Sequence, residues 1–80
     1  MADSLRLHKG MLWYDADANL HLHLRVNRAV AYFFSKHGKK PLCCYVHPNM
    51  LPPADQQLAE IAVYPNQHIL PHHFWLEFED

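Results

Sequence analysis

Eight histidines in eighty residues are the chemically richest feature of this chain. Imidazole ligates metals, moves protons near neutral pH and caps backbone. Spacing decides which of these is available. Residues two apart on a helix face different ways, so His21 and His23 are not expected to chelate together. His37 falls where a helix should end, and there a cationic imidazole favours the dipole. Pro71 lies beside His72 and His73, close after His68, and forbids the helical i, i+4 arrangement of two-histidine metal sites. One constellation survives. Asp15 and His47 stand at the ends of two expected strands, and His72 and His73 at the start of a third. If the third runs antiparallel to the first two, all four lie at one sheet edge, the edge that ligand sites in α/β sheets favour. Asp15, His47, His72 and His73 are then candidate ligands for zinc, or an Asp–His acid–base pair. The opposite reading is that these imidazoles hydrogen-bond backbone and cap loops, with no cofactor bound.

The two cysteines, Cys43 and Cys44, are adjacent. Neighbours cannot reach ordinary disulfide geometry without distorting the backbone between them. No C-x-x-C pair is present, which removes zinc-ribbon and thioredoxin-type chemistry. The only glycines are Gly10 and Gly38, so there is no glycine-rich phosphate loop. There is no G-x-S-x-G elbow and no threonine, and Ser4 and Ser35 are the only serines. A serine-nucleophile enzyme does not fit this inventory.

The elements that must position these residues read as follows. Residues 1–10 form a loose arm and residues 11–80 one small α/β domain. Met11–Tyr14 is a short apolar strand. Asp15 and Asp17 are both candidate helix N-caps. Leu22, Val26, Ala29, Val30 and Phe33 form one apolar stripe of a helix running from Asp17 to His37, with Gly38 as the residue that closes it. Leu42–His47 is a strand stopped by Pro48, and with the helix it completes a β-α-β unit whose strands run parallel. Ala54–Glu60 can form two helical turns. Ile61–Tyr64 and His73–Glu79 are two further strands. The expected fold is therefore α+β, a mixed sheet of about four strands with one long helix packed on one face.

A single helix covers only one sheet face. Strand alternation puts Phe74, Leu76 and Phe78 under the helix and Trp75, Glu77 and Glu79 opposite. The helix-free face should carry Tyr45, Tyr64, Trp75, and Trp13 or Tyr14. Tyrosine and tryptophan bury area while keeping a hydrogen-bonding tip, which suits an interface. This pattern points to a non-enzymatic interaction module that self-associates or docks on another protein through Trp13, Tyr14, Tyr45, Tyr64 and Trp75. The plainer alternative is that the arm and residues 48–60 fold over that face.

Charge supplies a second alternative. The net charge of −1 conceals +5 over residues 18–40 and −5 over residues 41–80. Arg25, Arg28 and Lys36 form one helical stripe with His21 and Tyr32, and Lys39 and Lys40 follow. These five cations are candidate nucleic-acid contacts. Internal neutralisation against the acidic half explains the same segregation. Half the residues are apolar and 19% charged, a globular balance. No apolar run is long enough to span a membrane. The opening residues lack the apolar core of a secretory signal, and with unpaired thiols this points to the cytoplasm.

Overall fold

The computed structural model describes residues 9–51 and 59–79. The arm's first eight residues lie outside the described residues, as do residues 52–58, most of the expected Ala54–Glu60 helix. Lys9 and Gly10 belong to the first strand. The elements in chain order are β1 (Lys9–Tyr14), α1 (Leu22–His37), β2 (Cys43–Val46), a 3-10 turn (Pro48–Met50), β3 (Ala62–Pro65) and β4 (His73–Phe78). They make one four-stranded mixed sheet in the order β1-β4-β2-β3, with α1 on one face. This is the expected small α+β fold.

Strands β1 and β2 run parallel, as a β-α-β unit requires, but they are not neighbours. β4 lies between them, antiparallel to both. β3 pairs parallel with β2 at the other edge. The segments before residue 52 and after residue 58 both lie on the helix side. Met50, Leu51, Ala59 and Ile61 pack against the core, and the Glu60 amide donates to Asn27 Oδ1 at 2.8 Å.

The core follows the periodicities. Val26, Ala29, Val30 and Phe33 from α1 meet Cys44, Val46, Phe74 and Leu76 from the sheet. Burying each large side chain of this set contributes about 1.5–3 kcal/mol. The helix ends as expected. Gly38 adopts φ 74°, and its amide donates to the Phe34 carbonyl at 2.8 Å. Phe33, His37 and Phe78 stack around that end, with ring centroids 4.3–5.0 Å apart.

The helix begins at Leu22, the first residue of the stripe, five residues later than the expected start at Asp17. Asp15 and Asp17 cap turns, not the helix. Asp15 Oδ1 accepts from the Asp17 amide at 3.0 Å, and Asp17 Oδ1 from the Asn19 amide at 3.2 Å. Short acidic side chains that bond the backbone two residues on stabilise turns in competition with helix. His21, extended at φ −61° and ψ 152°, becomes the N-cap without a side-chain bond. Because His21 stands outside the helix, its ring stacks on His23, with centroids 5.9 Å apart and planes at 15°. The expectation that the two rings diverge assumed both were helical.

Candidate functional site

The C-terminal end of β1 and the start of β4 meet at one sheet edge, where Asp15 and His72 come together. The Asp15 amide donates to the His72 carbonyl at 2.9 Å. Arg25 reaches down from α1 and joins them. Its Nη2 donates to the Asp15 carbonyl and lies 2.9 Å from His72 Nδ1. A guanidinium only donates, so His72 Nδ1 accepts and its proton resides on Nε2. Arg25 Nε is buried without a hydrogen bond, 3.9 Å from Asp15 Oδ1. The guanidinium carbon stands 5.4 Å from the Phe74 ring centre, a cation–π contact. Arg28 closes the cluster from outside, with Nη1 donating to Asp15 Oδ2 at 3.1 Å and Nη2 3.6 Å from Asp17.

His72 holds the left-handed conformation, φ 67°. For a residue with a Cβ this costs about 1–2 kcal/mol. The conformation lets one residue serve three partners: its carbonyl takes the Asp15 amide, its ring takes Arg25, and its amide lies 3.1 Å from Met50 Sδ.

This arrangement corrects the expected ligand set. Among the described residues no group of three or more His, Cys, Asp and Glu side chains is placed to hold a metal. Asp15 is occupied by two arginines. His47 Nδ1 accepts from the Asn49 amide at 3.1 Å and caps its own turn. His73, one residue on in an extended strand, points to the other sheet face, where its Nδ1 donates to the Pro71 carbonyl at 2.9 Å and its ring lies 5.0 Å from Tyr14. The edge is a polar clasp joining helix and two strands.

Arg25 also departs from the basic helix stripe. It is 6% exposed, because it follows Leu22 by three residues and precedes Ala29 by four and so shares the core-facing side. The remaining cations are largely engaged. Arg28 holds Asp15 and Asp17, Lys39 donates to the Glu79 carbonyl at 2.9 Å, and Lys40 lies 3.6 Å from Glu60. Lys36 stays on the exposed helix surface. Internal pairing between the basic and acidic segments is thus present in part.

Four of the five expected face residues share the helix-free side. Tyr45 pairs with Trp75 and Tyr64, and Tyr14 with His73. Trp13 does not join them. Register places it opposite Phe74 on the helix side, where it stacks on Tyr32 at 5.0 Å. Leu12, opposite Trp75, takes the face position beside Tyr14, and periodicity alone did not mark it.

Comparison with protein-family models, curated proteins and solved structures finds no match to this chain.

Apolar exposure on the helix-free face is concentrated toward β1. Leu12 is 57% exposed, Tyr14 63% and Leu70 66%. A shallow groove of about 280 Å³ runs among Leu12, Ile69, Leu70, Trp75, His68 and His73. A second, of about 460 Å³, lies against Tyr45, Trp75, Ile69 and Glu77. Trp75 and Ile69 line both, and the Trp75 indole lies over the bare backbone of Gly10.

The cysteines flank the sheet. Cys44 faces the core, where burial pushes its thiol up from 9.0 to about 12. Cys43 faces the other side. Burial raises it too, a hydrogen bond with Tyr45 offsets part of this, and Glu77 adds to it. Raised thiols stay protonated and unreactive at neutral pH. Both should resist alkylation in the native protein below pH 9 and react promptly once it is unfolded. For stability, the unfolded Cys44 thiol ionises near 9.0 while the folded one waits until about 12. Its contribution is therefore intact below pH 9 and declines as pH rises through the interval, by about 1.4 kcal/mol per pH unit. Urea melts at pH 8 and pH 10.5 measure the difference. A midpoint that does not fall would contradict burial of Cys44.

Proposed function

We propose that this chain is a protein–protein interaction module that self-associates through the β1 side of its helix-free sheet face. The observation that carries the reading is the cluster of Leu12, Tyr14 and Leu70, each more than half exposed, around the Trp75 groove. Contiguous apolar patches of this kind mark interaction sites on small proteins.

Mass in solution tests this. Light scattering from micromolar to near-millimolar concentration should show the wild type moving toward twice its monomer mass. Tyr14→Glu and Leu70→Glu should each weaken association by about tenfold or more, since each adds a charge at the patch. Both side chains are exposed, so circular dichroism should be unchanged. A wild type that stays monomeric at the highest concentration would overturn the reading.

A further inference from the structure

We infer that the clasp of Asp15, Arg25 and His72 is an acid-sensitive latch, closed only while the His72 imidazole is neutral. The latch belongs to the single chain and needs no second copy. Arg25 Nη2 lies 2.9 Å from His72 Nδ1 and also donates to the Asp15 carbonyl. A guanidinium has donors only and keeps its charge at any ordinary pH. The contact with His72 is therefore a hydrogen bond only while Nδ1 carries a lone pair. A proton there turns the acceptor into a donor and sets one cation against another. Burial of Arg25 strengthens the repulsion, because little water screens it. Arg25 cannot withdraw, since its Nε is enclosed and its guanidinium carbon stands 5.4 Å from the Phe74 ring centre.

Among the described residues, the groups around His72 supply no spare negative charge. From α1 come two cations, Arg25 and Arg28. The segment after β1 brings two carboxylates, Asp15 and Asp17, and each already lies against a guanidinium. These four charges balance with a neutral imidazole and leave one excess positive charge with a protonated one. In the 3-10 turn, Met50 Sδ lies 3.1 Å from the His72 amide. His47, the N-cap of that turn, spends Nδ1 on the Asn49 amide. His73 on β4 turns to the other sheet face. Both of these imidazoles only add positive charge on acidification.

Protonation must therefore turn the His72 ring away from Arg25. Arg25 then keeps the Asp15 carbonyl but loses its side-chain acceptor. The backbone gains from the same bond. His72 holds φ 67°, a conformation that disfavours a residue with a Cβ, and the ring's tie to α1 offsets that cost. Acid thus loosens the join between Pro71 and β4 together with the helix contact. The sign follows from linkage. The unfolded chain takes the proton freely and the closed latch excludes it, so the latch is intact at pH 7.5 and weakens as pH falls. A free histidine, with its usual value near about 6.5, is about nine-tenths protonated at pH 5.5. The folding constant should fall about tenfold on this account between the two pH values.

His72→Asn isolates the effect. Asparagine Oδ1 takes the place of imidazole Nδ1, accepts at every pH, and the residue tolerates the left-handed region. Urea melts of the full chain at pH 7.5 and pH 5.5 should show the wild type losing about tenfold more of its folding constant than His72→Asn. The remaining histidines are common to both. In an Arg25→Met background His72→Asn should no longer change the pH response, because the cation that repels the proton is gone. A long-range 15N–1H NMR spectrum of the wild type at pH 7.5 should show the His72 ring, assigned through its own Cβ, protonated on Nε2 and bare at Nδ1. That reading needs no variant. Equal acid sensitivity of the wild type and His72→Asn overturns the latch, and so does a His72 ring protonated on Nδ1 at pH 7.5.

Discussion

Asp15→Ala is expected to destabilise the protein by about 3–5 kcal/mol, the loss that follows when one partner of a buried ion pair is removed. A domain of this length has roughly 4–12 kcal/mol in total, so the variant should be close to unfolding in mild urea. The direction of the asymmetry is the informative part. Without Asp15's carboxylate, Arg25 keeps a full charge at 6% exposure, with only a backbone carbonyl, the His72 ring and the Phe74 face around it. Without Arg25, Asp15 still has Arg28 at 3.1 Å and the Asp17 amide at 3.0 Å. Arg25→Met, which retains an apolar stem against Phe74, should therefore cost less than Asp15→Ala. The double variant should be more stable than Asp15→Ala alone, because the stranded charge is gone. Arg28→Ala, at a half-exposed position, should cost under about 1 kcal/mol. Equal destabilisation by Asp15→Ala and Arg28→Ala in urea melts would refute the buried clasp.

The clasp also marks the limit of what the chain alone discloses. The helix stripe from Leu22 to Phe33 and the alternation of Phe74, Leu76 and Phe78 were legible, because one periodicity fixes each buried face. Gly38 was legible because a left-handed closing residue has few alternatives. Asp15 and His72 could be assigned to one edge from strand direction. What they do there could not be assigned, because it depends on Arg25, and Arg25 reads equally as a solvent cation at i+4 from His21 or a core neighbour at i+3 from Leu22. Only the cost of burying a charge distinguishes these, and that requires knowing where Asp15 lies. Trp13 and Tyr14 posed the same kind of ambiguity. Alternation says that they oppose one another, and only the register with β4, Trp13 against Phe74, says which is inside. The insertion of β4 between β1 and β2 leaves no local signal, since a β-α-β unit with a gap has the same elements as one without.

The second large effect should come from the smallest side chain on the face. A Cβ built on Gly10 would lie 1.8 Å from Trp75 Cζ2 and 2.0 Å from Cε2. No rigid adjustment accommodates that overlap, so the indole must swing off the strand. Gly10→Ala is expected to destabilise by about 1–3 kcal/mol, the usual range for overpacking. Glycine in a strand is otherwise unfavourable, by about 0.5–1 kcal/mol relative to alanine. Hence the sign should reverse when the indole is absent: in a Trp75→Val background Gly10→Ala should be neutral or stabilising. A glycine covered by a cross-strand aromatic ring has this signature, and a glycine serving backbone freedom does not. Fluorescence gives an independent reading. Trp13 is packed under Tyr32 and should report little change, while Trp75, displaced into water, should shift its emission to the red. Trp75 also lines the groove of the proposed self-association patch, so Gly10→Ala should lower self-association together with stability, whereas Asp15→Ala, measured at temperatures where it remains folded, should affect association far less. A Gly10→Ala variant with unshifted emission, full stability and full self-association would show that the indole does not rest where the sheet places it, and the proposed patch would lose its central side chain.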